Sequence, residues 1–482
     1  MKKAFVETGR KSYSLIEVLL VFFIILLSTI TGILIFLDTT RPYHYLWLPI
    51  LPLSFGLINI FTFKIYYRIF NKVAYLIIIF LYTIRNTITP LIMKFGQYYG
   101  NFKILNFEIV NKAIILMIYE TFVVFFLLFY LEGKDFKYKK RKKNRNHNIK
   151  YKTIPYGVFF LIIIICIFAY FTVPEIKLNY VSIFNEGEKI VGKIGAIEIL
   201  PIGTYKRSLY TLFSFIFNIS QIFLSIWIIV KIKKIVGDTF LGVIISIIII
   251  FSNFLFITGE TGYTFVVIAI LCICSFKIFF RNGLKLLICV GFIFSIALIY
   301  IYINKANMMI SKVNNAVTAS AMLQAYFPGV CNIAGIFNII NNRKMTTLFY
   351  DIYAMIPFRN TLFGLNNDER LVLLYTEQNR ALYNILPCIG QACHYISIIF
   401  APLIPGLFVY LAVRTQRKLR NISNIWQYSS YLLLCIYTSL TPIMYNATIF
   451  GARFFSTILP MIIIAKYTNN NIIALNNRFN KL

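Results

Sequence analysis

Arginines and acids gather in the C-terminal half of this chain, within and just after the stretch Asn304–Cys388. Between residues 313 and 413 the basic residues are Arg343, Lys344, Arg359, Arg370 and Arg380, and Arg453 follows in the last apolar segment. A guanidinium binds a diphosphate in a planar, bidentate way that the ammonium group of lysine does not match. This set predicts a site for an anionic, phosphorylated headgroup, and ordinary salt bridges with nearby acids are the alternative.

Three side chains near these arginines could accept a proton from a reacting hydroxyl. His394 lies in the segment Gly390–Tyr395, Asp351 lies among the tyrosines of the long stretch, and Glu260 lies in the glycine-bounded turn Thr258–Tyr263. A turn cap is the alternative for Glu260, and a structural role is the alternative for His394.

The familiar signatures of cofactor chemistry are missing from the sequence. It contains no P-loop, no glycine-rich dinucleotide motif, no HExxH and no serine-hydrolase pattern. Its eight cysteines show no metal-ligand spacing and are interpreted as small buried hydrophobic residues. We therefore predict neither a cofactor nor a metal.

The elements that must position these residues are membrane-spanning helices. The chain is 59% hydrophobic and 13% charged, and its mean hydropathy is +0.75, which is typical of an integral membrane protein. Backbone groups in lipid need internal partners, so the apolar segments are predicted to be helices of an all-α polytopic protein. Twelve spans are predicted, at about 15–37, 46–63, 73–93, 113–131, 154–173, 208–230, 239–258, 263–276, 286–303, 389–413, 425–444 and 447–465.

The distribution of Lys and Arg predicts the orientation. With both termini in the cytoplasm, the inner segments carry 30 of the 48 basic residues and the longer outer segments carry 16. Residues 132–153 form a basic cytoplasmic loop, and residues 304–388 form one large extracytoplasmic loop between spans nine and ten of a single transmembrane domain, 1–482. The net charge of +31 is thus a topology signal that contacts anionic lipid, and no motif supports nucleic-acid binding.

Two polar features inside apolar stretches also carry predictions. Residues 317–340 of the large loop predict a surface helix or a re-entrant hairpin broken at Pro328-Gly329. Arg85 lies within span three, where an unpaired guanidinium is costly, so it should face a cavity or a partner.

Several segments together resemble the Wzy-type polymerases, which join oligosaccharide repeat units in O-antigen and capsule assembly. They are the Thr258–Tyr263 turn, the loop segment Asp351–Arg359, and Leu386–Gln391 continuing through Phe400–Leu407. Twelve spans with one long outer loop in the C-terminal half complete the resemblance. Many relatives carry an arginine after the first glycine of the turn, whereas this chain has Glu260.

The resemblance implies a metal-independent, inverting glycosyltransferase at the outer face of the bacterial cytoplasmic membrane. A polyprenyl-diphosphate-linked glycan would be the donor, a hydroxyl of another lipid-linked repeat unit the acceptor, and a chain-length regulator and a flippase possible partners. Arg359, Arg380 and Arg453 would stabilise the leaving diphosphate, with Arg343 and Arg370 in reserve. His394, Asp351 or Glu260 would serve as the base.

Three other functions fit parts of the pattern. A lipid-linked oligosaccharide flippase or transporter would share the twelve spans, although such proteins usually have two similar halves and short loops. An O-antigen ligase, which transfers finished polymer, has a similar plan. A scaffolding membrane protein would leave the intramembrane Arg85 unexplained.

Overall fold

The computed structural model describes residues 13–100, 105–139, 150–152, 164, 205–237, 239–255, 261–279, 315–339, 345–357, 370–379, 385–422, 424–466 and 472–474. The spans predicted at 154–173 and 286–303 lie outside these residues, apart from residue 164. The described part is helical, with one exception. The three-residue strands Lys150–Lys152 and Ile472–Ala474 pair antiparallel and join two segments that the charge pattern places on the inner side.

The first half of the chain folds into long apolar helices. They are α1 (Leu15–Phe36), α2 (Ile50–Phe61), α3 (Val73–Thr83), α4 (Thr89–Gly96), α5 (Phe107–Lys139), α6 (Tyr205–Val236), α7 (Phe240–Leu255) and α8 (Thr261–Ile278). A five-residue π-helix, Ile84–Ile88, joins α3 to α4 and makes one continuous span of them. Helix α1 begins at a capping box, in which Ser14 and Glu17 satisfy each other's backbone N–H groups.

The second half contains more short helices. They are α9 (Asn315–Tyr326), α10 (Val330–Phe337), α11 (Met345–Ala354), α12 (Leu371–Asn379), α13 (Cys388–Tyr395), α14 (Leu403–Leu419), α15 (Ile425–Met444), α16 (Ala447–Arg453) and α17 (Leu459–Lys466). A second π-helix, Phe454–Ile458, makes one continuous span of α16 and α17.

Six helices of the described residues are long and apolar enough to cross a membrane: Leu15–Phe36, Tyr43–Phe61, Val73–Gly96, Phe107–Gly133, Phe215–Val236 and Ala447–Lys466. Helices α7 and α8 are apolar but shorter. The protein is therefore an all-α membrane protein, and each of these elements coincides with a predicted span.

The prediction of a continuous span ten over 389–413 is wrong. The structure has two helices there, α13 and α14, separated by residues 396–402. Pro402 and Pro405 bound the start of α14, where proline is tolerated because the first turn leaves its N–H groups unpaired anyway. Helix α13 is a separate buried helix that precedes α14.

The helix break predicted at Pro328-Gly329, at the tip of the proposed hairpin, is present. Helix α9 ends at Tyr326, Gly329 is the N-cap of α10, and residues Val330–Ile336 are all buried. Gly96, at the end of α4, faces Ala316, while Gly329 at the hairpin tip faces Thr89 at the start of α4. Helix α9 therefore runs antiparallel to α4, and the tip reaches the π-helix of span three.

The buried apolar residues form two clusters. One contains the N-terminal half of α1, the C-terminal halves of α2 and α5, and α3, together with α6, α7, α8, α14, α15 and the last span. The other contains residues at the opposite ends of α1, α2, α4 and α5 together with α10, α12 and α13. Part of the predicted outer loop thus belongs to the hydrophobic core.

Candidate functional site

Helices α11, α13 and α16 meet where the loop packs on the last span. At two positions around these helices, a glycine lets a neighbouring side chain pack directly on the helix backbone. A Cβ at Gly451 of α16 would lie 2.4 Å from Sδ of Met355, and a Cβ at Gly390 of α13 would lie 2.5 Å from Cγ1 of Ile336. The three helices therefore hold their polar side chains at short range.

Asp351 is the centre of the polar contacts between these helices. Its side chain is 1% exposed, and Oδ2 accepts hydrogen bonds from Nε2 of Gln391 at 2.9 Å and from the hydroxyl of Tyr395 at 2.7 Å. Oδ1 is buried and has no hydrogen-bond partner among the described residues. A buried carboxylate oxygen without a donor is costly, so this oxygen is suited to receiving a hydrogen bond from a ligand hydroxyl.

Gln391 is the residue that sequence reasoning missed. Its Nε2 also donates to Oγ1 of Thr448 at 2.7 Å, and its Oε1 accepts from the backbone N–H of Ala447 at 2.8 Å. The side chain thus ties Asp351 to the start of α16. The only sequence signal for Gln391 is its position in the segment Gly390–Tyr395, three residues before His394.

Tyr395 lies between two of the predicted bases. Its hydroxyl donates to Asp351, while its ring meets the ring of His394 edge-on at 5.3 Å between centroids. Burial and the nearby Asp351 carboxylate raise the pKa of Tyr395 far above its usual value, so the phenol stays protonated and remains a donor. His394 is buried on the last turn of α13, where the helix dipole favours a cationic side chain.

Arg453 is the one described arginine of the last span. It ends α16, five residues after Thr448, and its guanidinium lies 5.6 Å from the ring centroid of Tyr263 on α8. The hydroxyl of Tyr263 donates to the carbonyl of Asn218 on α6 at 2.8 Å. Arg453 therefore lies beside Tyr263 near the start of α8, although 190 positions separate the two residues in the sequence.

The remaining predicted site residues divide into two groups. Glu260, Arg343, Arg359 and Arg380 lie outside the described residues. Arg370 is described; it immediately precedes α12, which packs against α10 and α11. Two contacts hold α12 on α10: the hydroxyl of Tyr375 donates to the carbonyl of Asn332 at 3.1 Å, and Nδ2 of Asn379 donates to the carbonyl of Gly335 at 3.0 Å.

Arg85 has a partner, as predicted for an intramembrane arginine. Its Nη2 donates to Oε2 of Glu120 on α5 at 2.8 Å, with both side chains at most 2% exposed, and the hydroxyl of Tyr82 donates to the other oxygen of Glu120. Cys388, at the start of α13, lies close enough to interact electrostatically with this pair; burial and the charge of Glu120 raise the pKa of its thiol. The thiol is therefore unreactive, in keeping with the structural interpretation of the cysteines.

Comparison with known proteins adds no assignment. No family model matches the chain, and no curated protein and no solved structure matches it either. Among the described residues, no group of three or more His, Cys, Asp and Glu side chains could hold a metal ion.

Proposed function

We propose that this protein is a polymerase that joins polyprenyl-diphosphate-linked oligosaccharide repeat units at the outer face of the cytoplasmic membrane. The observation that carries the proposal is Asp351, a buried carboxylate with two hydrogen-bond donors on Oδ2 and none on Oδ1 among the described residues. Its connection through Gln391 and Thr448 to the helix that bears Arg453 supports the same function. A base and a diphosphate-binding cation on adjoining elements are what such a transfer requires.

In the proposed reaction the acceptor hydroxyl gives its proton to Oδ1 of Asp351 while its oxygen attacks the anomeric carbon of the donor sugar. A new glycosidic C–O bond forms, and the C–O bond to the diphosphate breaks. The polyprenyl diphosphate leaves with the electron pair. Asp351 then returns its proton to water or to the departing diphosphate.

Charge develops on the diphosphate as that bond breaks, and arginine forks stabilise it. Arg453 is our first assignment because it lies on the helix to which Asp351 is linked. Arg359 and Arg380 complete the proposed set, with Arg343 and Arg370 as further candidates. Asp351 is our first assignment among the three predicted bases, because Gln391 links it to the helix that bears Arg453.

The test uses host cells in which only the variant copy is present. Asp351→Asn and Arg453→Ala should leave the protein inserted while cells display single repeat units instead of long chains on a gel, a loss of at least about 100-fold in polymer for a missing base. Arg453→Lys should also fail, because it keeps the charge and loses the bidentate geometry.

Glu377→Gln is the matched control, because Glu377 is an exposed acid on α12 of the same loop, and it should keep normal chains. Normal chain length in Asp351→Asn would show that Asp351 is not the base. Long unattached polymer in the variants would instead indicate a ligase, and repeat units retained inside the cell would indicate a flippase.

A further inference from the structure

Gln391 uses both of its N–H donors and its carbonyl oxygen at a junction of three helices. The carboxamide donates from Nε2 to Asp351 on α11 and to Thr448 on α16, and it accepts at Oε1 from the backbone N–H of Ala447. These partners lie 40, 57 and 56 positions away in the sequence. The side chain itself is 4% exposed.

The position of this carboxamide is fixed from both sides. Gly390 brings α13 against Ile336 of α10, where an added Cβ would clash. On the other side Asn446 caps α16 by accepting from the N–H of Ile449 at 2.9 Å. Because both helices are held by contacts other than Gln391, its amide is presented to Asp351 in one orientation.

Only a carboxamide satisfies this set of partners. The group facing Oδ2 of Asp351 must donate, and the group facing the N–H of Ala447 must accept. Together with the hydroxyl of Tyr395, the amide saturates Oδ2 with two donors. Oδ1 is then the oxygen of Asp351 that accepts no hydrogen bond from the described residues.

We propose that Gln391 is a positioning residue that selects Oδ1 of Asp351 as the proton acceptor and locks the loop helix α11 to the helix bearing Arg453. The role of Oδ1 as the catalytic proton acceptor rests on the proposed function. The effect of Gln391 on the protonation of Asp351 is independent of that function, so it can be measured without any substrate.

Several titratable side chains are carried by α11 and by the elements that pack against it. They are Tyr350 and Tyr353 on α11, His394 and Tyr395 on α13, Arg453 on α16, and Arg370, Tyr375 and Glu377 in or next to α12. Gln391→Glu adds one carboxylate to this set, directly against Oδ2, and keeps the shape of the side chain. Two carboxylates at hydrogen-bond distance cannot both ionise readily, so they should share a proton at neutral pH.

The experiment measures labelling of the full-length protein in detergent by a hydrophobic carbodiimide, which reacts with protonated carboxyl groups. Peptide mass spectrometry reports labelling at Asp351 as a function of pH, in wild type, Gln391→Glu and Gln391→Met. In Gln391→Glu, labelling of the pair 351/391 at pH 7 should rise at least about tenfold, equivalent to a shift of one pH unit. Glu132 is a buried acid near the C-terminal end of α5, where it pairs with Lys72. Its labelling as a function of pH should be the same in every variant.

Gln391→Met separates positioning from simple packing. It fills the same space without donors, so it should raise Asp351 labelling less than Gln391→Glu does while leaving the thermal unfolding temperature close to that of wild type. An unchanged pH profile for Asp351 in Gln391→Glu, in a variant that remains folded, would overturn the proposal. If the profile moves but Asp351→Asn still makes polymer, Gln391 positions Asp351 and the proposed function is what fails.

Discussion

At the scale of single residues, the buried ion pair of Arg85 and Glu120 carries a large desolvation cost. Both charges are removed from solvent. Their mutual attraction, the hydroxyl of Tyr82 on Glu120 and the ring of Tyr82 beside the Arg85 guanidinium offset the cost of desolvation. Nε of Arg85 has no hydrogen-bond partner among the described residues. Such a pair is sensitive to the loss of either member, because the other charge is then left alone in the core.

Removing one member should therefore be worse than removing both. We expect Arg85→Ala or Glu120→Ala to cost about 3–5 kcal/mol, whereas Arg85→Met combined with Glu120→Leu should recover most of that loss. Thermal unfolding of the purified protein measures the difference.

Lys112→Ala is the control for this prediction, because the Glu108–Lys112 pair is exposed, and it should leave the unfolding temperature unchanged. The assignment of a desolvated, mutually dependent pair is contradicted if the double variant is as unstable as the single ones.

At the scale of elements, the two π-helices share a cause that is visible in the sequence. Each π-helix begins six positions before a proline: Ile84 before Pro90 and Phe454 before Pro460. In each, the residue just before the proline donates its N–H to the carbonyl five positions earlier, from Thr89 to Ile84 and from Leu459 to Phe454. Proline lacks an N–H and crowds the carbonyl four residues earlier, and widening the helix by one residue relieves both defects. Among the described spans, the two that contain Arg85 and Arg453 are the two with a π-helix.

The segment before the Pro328-Gly329 break is held against α4 by a close contact between Gly96 and α9. A Cβ at Gly96 would lie 2.5 Å from the backbone carbonyl oxygen of Ala316, which cannot rotate away as a side chain could. Gly96→Ala should therefore push α9 from α4 and destabilise the protein by about 1–3 kcal/mol, measured by thermal unfolding and by faster proteolysis within 315–339.

Gly133→Ala on α5 provides the comparison, since nothing lies within 4 Å of its added Cβ. There the substitution should be neutral or stabilising by up to about 1 kcal/mol, because alanine favours helix over glycine. Equal stability of Gly96→Ala and Gly133→Ala would mean that the hairpin does not pack on α4 as described.

At the scale of the whole molecule, the distribution of Lys and Arg predicts which loops lie on each side of the membrane, and this can be measured directly. Thr39, between α1 and α2, should lie outside, and Asn421, between α14 and α15, should lie in the cytoplasm; both are exposed. A membrane-impermeant maleimide should label Thr39→Cys in intact cells and Asn421→Cys only after permeabilisation. Wild type is the control, since all its described cysteines are buried, and labelling of Asn421→Cys in intact cells would reverse the orientation.

The candidate site was predictable only in part. Asp351, His394 and Arg453 could be named because acid, imidazole and guanidinium groups are rare in so apolar a chain. Gln391 and Glu120 could not, since an amide in a glycine-rich segment and an acid within an apolar helix carry no signature of their partners. Those partners lie 40 positions from Gln391 and 35 positions from Glu120.

The sequence alone determined that the chain is helical and embedded in a membrane, where its main helices lie, and that its loop would break at Pro328-Gly329. These properties depend on local runs of residues, because hydropathy acts over about twenty consecutive positions and proline acts on its own turn. Only the tertiary structure decided that the loop packs into the hydrophobic core, that predicted span ten is two helices, and that Gln391 joins Asp351 to the helix of Arg453. Hydrogen bonds between distant positions depend on how helices pack, and packing is a property of the whole chain.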